Sequence, residues 1–141
     1  NELVRVISGL GKCYLELNMD NELKELIENL EKEIKEAPQI KDLEESIDFL
    51  NNIPKVEKEF DPESIKKYPE NLDLRLNFSR ILISKKEYQE AINNLLFIIN
   101  KQKNWNNGVA KDELLKLFAY LGNNNSLTIE GRSKLSNILF K

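Results

Sequence analysis

The fold is decided by residues 71–100, NLDLRLNFSRILISKKEYQEAINNLLFIIN, in which two apolar stripes of helical period flank a short polar loop. Asn71 precedes the first stripe and can cap a helix through its side-chain oxygen. Residues 84–86, SKK, form the loop. The stripes consist of Leu74, Phe78, Ile81 and Leu82, and of Tyr88, Ala91, Ile92, Leu95, Ile98 and Ile99. Two such helices joined by a short loop predict an antiparallel helical hairpin.

Small residues in this hairpin have the spacing of a tetratricopeptide (TPR) unit, a repeat of ~34 residues. Ser79 and Ala91 are twelve residues apart, at the positions where the two helices of such a unit cross closely. Gly11 and Leu23 have the same spacing, and Gly11 lies 68 residues before Ser79, which is twice the repeat length. The register predicts a short solenoid of TPR-like hairpins. Since Leu23 is not small, we expect the first hairpin to pack more loosely.

Five further apolar stripes predict about seven helices in all, and thus an all-α fold. Asp20 is placed to cap the second helix, Pro38 suits the first turn of the third, and Pro54 ends it. Gly122 is expected to end the sixth helix in the left-handed conformation. The inward residues are predicted to be Leu3, Val6, Ile7, Leu10, Tyr14 and Leu17 in the first helix; Leu23, Leu26, Ile27, Leu30 and Ile34 in the second; Ile40, Leu43, Ile47 and Leu50 in the third; Ala110, Leu114, Leu117, Phe118 and Leu121 in the sixth; and Ile129, Leu135, Ile138 and Leu139 in the seventh.

The prolines suggest how the chain is organised. Residues 54–71, PKVEKEFDPESIKKYPEN, hold three of the four prolines and predict a linker with at most a short helical turn. We therefore predict a single TPR-like domain over residues 1–141. Its parts are a first hairpin plus third helix (1–53), the linker (54–71), a second hairpin (72–103) and a C-terminal hairpin (107–140).

Composition excludes several classes of function. The net charge is −3 with acidic and basic residues interspersed, so we expect no nucleic-acid partner. No apolar run approaches the ~20 residues of a membrane helix, and the first residues lack the pattern of a secretion signal. We therefore expect no membrane partner and a cytoplasmic location. The chain begins without Met, so we expect that a preceding segment belongs to the protein.

Catalytic and metal chemistry have few candidate residues. The chain has no His and one Cys, which removes His-based nucleophiles, His-based zinc sites and Cys-x-x-Cys redox pairs. Cys13 lies within an apolar helix, where we expect a small buried hydrophobic residue. We predict no enzyme, no catalytic residue, no cofactor and no metal.

A stack of helical hairpins exposes a concave face that binds peptides or helices of other proteins. With Leu72 as the first position, the groove-facing residues of the second hairpin are Asp73, Leu76, Asn77, Arg80, Ile83 and Ser84. Among them Leu76, Asn77 and Arg80 are candidate contacts with a peptide. The alternative is that Asn77 and Arg80 are merely solvated.

Residues 69–140 resemble the C-terminal part of the bacterial co-chaperedoxins, proteins that fuse a thioredoxin domain to TPR-like repeats. Residues 69–105 follow that family's order of a capping Asn, an Arg-containing helix, a short loop and Ala-Ile-x-x-Leu-Leu. Residues 123–126, NNNS, stand where family members often carry Asp-Pro. Further equivalent residues are Trp105, Ala110, Lys111, Leu114, Leu115, Leu117, Phe118, Leu121, Gly122, Arg132 and residues 135–140.

The resemblance implies a chaperone role in which unfolded or oxidatively stressed clients are held and passed to the chaperonin and to the ATP-driven heat-shock chaperone. The thioredoxin domain is absent from this chain, so the chain would contribute the docking of clients or chaperones. The family's C-terminal helix is implicated in chaperonin docking, which makes Arg132, Ile138, Leu139 and Phe140 candidates. Phe140 lies off the inward stripe and is either an exposed anchor or packs back onto Phe118 or Leu121.

A second hypothesis is a structural or oligomerisation module of a larger protein. In this alternative the helical domain spaces or dimerises its parent protein and binds no client. The oligomeric state is not predicted by the sequence.

Overall fold

The computed structural model describes residues 2–53 and 60–141, and within these ranges the chain is helical, with no strand. The chain forms two compact units, Asn1–Asn52 (unit 1) and Ile53–Lys141 (unit 2). The prediction of an all-α fold built from antiparallel hairpins is confirmed. That the whole chain acts as one domain stays a prediction. No helix within the described ranges has the length and apolarity required to cross a membrane.

Unit 1 is built on α1, Glu2–Glu16, which packs against two later helices. These are α2, Asp20–Glu28, and α4, Pro38–Asn51, with the one-turn helix α3, Lys32–Lys35, between them. Pro38 occupies the first turn of α4, as predicted, because its missing N–H has no partner to lose there. The core consists of Val4, Ile7, Leu15, Leu23, Ile27, Ile40, Leu43 and Ile47.

Two predictions about α2 were wrong. The apolar stripe from Leu23 to Ile34 was expected to form one helix, but α2 ends at Glu28 and Glu31 is extended, with φ −63° and ψ 148°. Because the apolar period continues through this turn, the pattern could not reveal the break. Asp20 lies in the first turn of α2, and the cap position belongs to Met19, which makes no side-chain cap hydrogen bond.

The inward face of α1 also differs from the prediction. The buried residues are Val4, Ile7, Ser8, Gly11 and Leu15. Four of the residues expected inside, namely Leu3, Val6, Leu10 and Leu17, are 51%, 62%, 42% and 67% exposed. Cys13, expected to be buried, is exposed.

The reason is a close contact at Gly11. A methyl group added there would lie 2.5 Å from Leu43 Cδ1 and 3.2 Å from Leu23 Cδ1. Helices α2 and α4 can therefore approach α1 more closely on the side with Ser8 and Gly11 than on the side with the larger residues. Leu23 is fully buried, because Gly11 opposite it has no side chain.

Unit 2 is arranged around α7, Tyr88–Lys101, which contacts α6, α8 and α9. The bounds of its other helices are Glu63–Lys67 for α5, Leu72–Ser84 for α6, Val109–Leu121 for α8 and Ser126–Leu139 for α9. Asn71 caps α6 as predicted, since its Oδ1 accepts a hydrogen bond from the Leu74 N–H at 3.1 Å. Asn125 caps α9 in the same way, accepting from the Leu127 N–H at 2.9 Å.

The linker prediction falls partly outside the described residues. Pro54, expected to end the third helix, lies in the undescribed range 54–59, and α4 ends at Asn51. The five-residue α5 is the short helical turn expected in this region. Phe60 stacks on Phe78 of α6, with ring centroids 5.3 Å apart. This contact attaches the start of unit 2 to its first long helix.

The core of unit 2 has a glycine contact like that of unit 1. A methyl group on Gly131 would lie 2.6 Å from the ring of Phe118, which is completely buried. Ser79 and Ala91, the two small residues of the predicted repeat, are also completely buried. Ile129 is 58% exposed, so its predicted inward position was wrong. With Gly131 against Phe118, α9 instead buries Thr128, Gly131 and Leu135.

The two turns that flank α8 contain residues that tolerate positive φ. Gly122 ends α8 with φ 92° and ψ 158°, which is accessible to glycine but is not the predicted left-handed conformation. Before α8, a short 3-10 turn spans Trp105–Gly108, and its last three residues have positive φ. Two of these are Asn106 and Asn107, and Asn tolerates this region better than other non-glycine residues.

The contact at Gly11 predicts the effects of two matched substitutions in α1. Gly11→Ala should lower the free energy of unfolding by about 1–2 kcal/mol, because displacing buried Leu43 outweighs the gain in helix propensity. Gly9→Ala should raise it by about 0.5–1 kcal/mol, since an added methyl meets nothing within 4 Å. Urea unfolding followed by circular dichroism measures both. Equal stabilisation by the two variants would contradict the proposed contact.

A second prediction concerns Thr128, which is completely buried and whose Oγ1 has no hydrogen-bond partner. A buried hydroxyl without a partner is unfavourable, so Thr128→Val should raise the free energy of unfolding by about 1 kcal/mol. Thr128→Ser keeps the hydroxyl and loses a methyl, so it should lower stability. Loss of stability in Thr128→Val would show that the hydroxyl is bonded after all. Both variants can be compared by thermal unfolding.

Candidate functional site

The predicted groove residues of α6 lie largely inside unit 2. Leu76 and Ile83 are each 4% exposed, and Asn77 is half-buried. Only Asp73 and Ser84 of the predicted set are exposed. The face of α6 that carries Leu76 is therefore used in packing, and little of this side chain is accessible to a peptide.

Arg80, the third candidate contact, forms an ion pair with Glu113 of α8. Its Nε and Nη2 donate to Glu113 Oε1 at 3.0 Å and 2.7 Å, and the two side chains are 19% and 17% exposed. The other carboxylate oxygen, Oε2, is buried without a hydrogen-bond partner. The pair links the first helices of two successive hairpins, so Arg80 is neither solvated nor free.

Glu113 was not singled out from the sequence, although a signal for it exists. It follows Arg80 by 33 residues, close to the ~34-residue repeat that places equivalent helices side by side. Two oppositely charged residues that lie about one repeat length apart in the sequence therefore indicate an ion pair between equivalent helices.

Arg75 forms a second polar cluster that the sequence reasoning missed. Its Nη1 donates to Asn94 Oδ1 at 3.0 Å, and its Nε donates to the Pro69 carbonyl at 3.2 Å. The guanidinium also lies 4.0 Å from the centroid of the Phe97 ring. These contacts attach the segment before α6 to α7, and they give Arg75 a structural role.

The end of α9 presents the most exposed large apolar side chain among those recorded for the described residues. Phe140 is 84% exposed, so the alternative that it packs onto Phe118 or Leu121 was wrong. Ile138 and Leu139 are half-buried. Arg132 is exposed, with its guanidinium 5.9 Å from the centroid of the Phe118 ring.

Hydrogen bonds fix the position of this helix end. Lys103 Nζ donates to the Leu139 carbonyl at 3.3 Å, and Lys141 Nζ donates to Asn100 Oδ1 at 2.9 Å. The Phe140 N–H donates a hydrogen bond to the Ser136 carbonyl at 3.0 Å, which completes the last turn of α9. Phe140 therefore projects from a backbone that is already ordered.

Tyr88 and Tyr120 meet edge to face at the opposite end of α7, with ring centroids 6.0 Å apart. Burial, together with a hydrogen bond to Tyr120, raises the pKa of Tyr88 well above its ordinary value. Tyr88 is thus a neutral packing residue. Within residues 2–53 and 60–141, no three or more acidic or Cys side chains come together in a way that could hold a metal ion.

Because Arg80 is paired with Glu113, a single substitution and a double substitution should differ in their effect on the free energy of unfolding. Arg80→Ala should lower the free energy of unfolding by about 2–4 kcal/mol, because it leaves the Glu113 carboxylate largely buried without a counter-charge. The double variant Arg80→Met with Glu113→Leu should recover most of this loss, since it removes both charges.

An exposed ion pair in the same unit provides the control. Lys66 and Glu63 are 3.4 Å apart with side chains 78% and 71% exposed, and Lys66→Ala should change stability by less than ~0.5 kcal/mol. Urea unfolding measures all of these variants. A loss in the double variant as large as that in Arg80→Ala would show that packing at Arg80, rather than charge, is responsible.

Comparison with known proteins agrees with this geometry. A family model described as a tetratricopeptide repeat matches residues 61–140, which is more than half of the chain and covers α5 to α9. Searches of the curated proteins and of the solved structures gave no match. The matched region contains both hairpins of unit 2, with the buried small residues Ser79 and Ala91 in the first of them. The chain therefore belongs to the tetratricopeptide repeat family.

Proposed function

We propose that this chain is the protein-binding domain of a cytoplasmic, chaperone-type protein of the bacterial co-chaperedoxin kind. In this proposal the domain holds unfolded clients during stress and docks to the chaperonin or to the ATP-driven heat-shock chaperone. Membership of the TPR family supports protein binding, because stacked helical hairpins provide extended surfaces for other proteins. The chaperone role is supported by the resemblance of residues 69–140 to that family.

The observation that carries the docking proposal is the exposed Phe140. Aromatic side chains are frequent energetic anchors in protein interfaces, because they bury a large apolar area at a small cost in side-chain entropy. The hydrogen bonds around Leu139 and Lys141 order the helix end before a partner arrives. An ordered anchor loses less entropy on binding than a mobile one.

The groove around Arg80 supports docking less well. Leu76 is buried, and Arg80 is neutralised by Glu113. Asn77 is half-buried, like Arg80, and it lies three residues before Arg80 on α6. We therefore assign the groove a secondary role and give the end of α9, with Arg132, Ile138 and Leu139, the main one.

The proposal predicts that Phe140→Ala weakens binding of the chain to purified chaperonin by about tenfold, equivalent to about 1.4 kcal/mol. Biolayer interferometry with the complete 141-residue chain measures the dissociation constant. Phe140 makes little contact with the rest of unit 2, so urea unfolding of the variant should match that of the unmodified chain.

Leu115→Ala is the matched control, because Leu115 is also exposed, at 44%, and lies on α8. It should leave chaperonin binding unchanged. Deleting residues 126–141 should abolish binding. This deletion also removes the contact between Gly131 and the Phe118 ring and exposes the core. The single substitution is therefore the sharper test. Unchanged affinity in both Phe140→Ala and the deletion would remove the docking proposal.

A further inference from the structure

The 3-10 turn before α8 contains the one Asn-Gly pair of the sequence, Asn107 and Gly108. Both residues have positive φ, 58° for Asn107 and 77° for Gly108, and Asn106 before them has φ 49°. Glycine and Asn adopt this region at a lower cost than other residues. The backbone of the turn therefore accounts for the presence of these two residue types side by side.

An Asn that precedes a Gly has a reactive side-chain amide. The backbone nitrogen of the next residue can attack the amide carbon Cγ and close a five-membered ring, and a glycine has no Cβ to hinder this approach. In this turn the Asn107 side chain is exposed, and a Cβ added at Gly108 would meet nothing within 4 Å. Water therefore reaches the amide, and there is room for the ring.

Ring closure also requires that the turn opens. The ring holds Cβ of Asn107 and the nitrogen of Gly108 on the same side of the Cα–C bond, so ψ of Asn107 must rotate away from its value of 29°. The turn is short, and Asn104 at its cap position makes no side-chain cap hydrogen bond. Since 3-10 turns have poorer hydrogen-bond geometry than α-helices, this segment opens without unfolding of the helices beside it.

We propose that Asn107 is a site of deamidation that needs no enzyme and only water as co-reactant. The Gly108 nitrogen forms a bond to Asn107 Cγ and gives up its proton, while the Cγ–N bond of the side-chain amide breaks and ammonia leaves with that proton. Water then opens the succinimide ring. Attack at Cγ gives aspartate, and attack at the main-chain carbonyl carbon gives isoaspartate, in which the chain continues through the side chain.

The two products have different consequences for α8. Aspartate at position 107 places a negative charge beside the N-terminus of α8, where the helix dipole favours it. Isoaspartate adds a methylene group to the main chain of a turn that contacts both α7 and α8, so it displaces the start of α8. Isoaspartate therefore destabilises unit 2, and aspartate does not. This proposal is independent of the docking role of Phe140.

Peptide mass mapping of the folded full chain, incubated at mildly alkaline pH, tests the proposal. Replacement of the amide NH2 by OH raises the mass of the peptide, and fragmentation assigns the change to one residue. Isoaspartate is detected separately with isoaspartyl methyltransferase and labelled S-adenosylmethionine. We expect Asn107 to convert several-fold faster than Asn106 and Asn18. These are internal controls, because both are exposed and have positive φ, but Asn and Met follow them.

Three variants separate the chemistry from the fold. Gly108→Asn keeps a residue that tolerates positive φ but adds a side chain beside the attacking nitrogen, so it should slow the reaction at Asn107 several-fold. Asn107→Gln should lose the reaction, because its longer side chain would have to close a six-membered ring. Asn107→Asp should co-elute with the aspartate product, and its urea midpoint should lie above that of the isoaspartate fraction.

Three results would overturn the proposal. The first is a folded chain in which Asn107 stays intact after the same chain in urea has deamidated there, since the turn would then not open. The second is conversion of Asn106 or Asn18 as fast as that of Asn107, because the following glycine would then be irrelevant. The third is a Gly108→Asn variant that deamidates at Asn107 as fast as the unmodified chain.

Discussion

Both units depend on helices that meet where one of them has no side chain. In unit 1 this residue is Gly11, which faces Leu23 and Leu43, and in unit 2 it is Gly131, which faces the ring of Phe118. A buried helix contact of this closeness fixes the rotation of the helix about its axis, because any other rotation would bring a side chain into the same space. The set of residues that each helix exposes follows from this constraint.

The rotation of α1 illustrates the consequence. With Gly11 turned inward, Leu3, Val6, Leu10 and Leu17 are left on the outside, although they are as apolar as the core residues. In α9 the contact of Gly131 with Phe118 likewise leaves Ile129 outside and buries Thr128. The exposed apolar residues of α1, and Ile129 of α9, are thus outside because a glycine of the same helix packs inside.

The candidate binding residues of unit 2 differ in how accessible they are. The end of α9 presents one large aromatic side chain on an ordered backbone, an arrangement suited to insertion into a pocket of a partner. The residues of α6 that were predicted to line the concave face are largely used in packing and in the Arg80–Glu113 ion pair.

The sequence by itself determined the helical class, the hairpin of α6 and α7, the Asn71 cap and the small residues at the helix crossing. These follow from local periodicity, capping chemistry and spacing, which are all visible in one dimension. It could not determine the break between α2 and α3, because the apolar period continues through that turn.

Only the tertiary structure decided which of two apolar faces of α1 is buried, how α9 is rotated, and that Arg80 is paired with Glu113 and Phe140 is exposed. Each of these outcomes depends on contacts between residues far apart in the chain. In such contacts the space left by a glycine, or the charge of a distant carboxylate, outweighs the hydrophobicity of the local sequence.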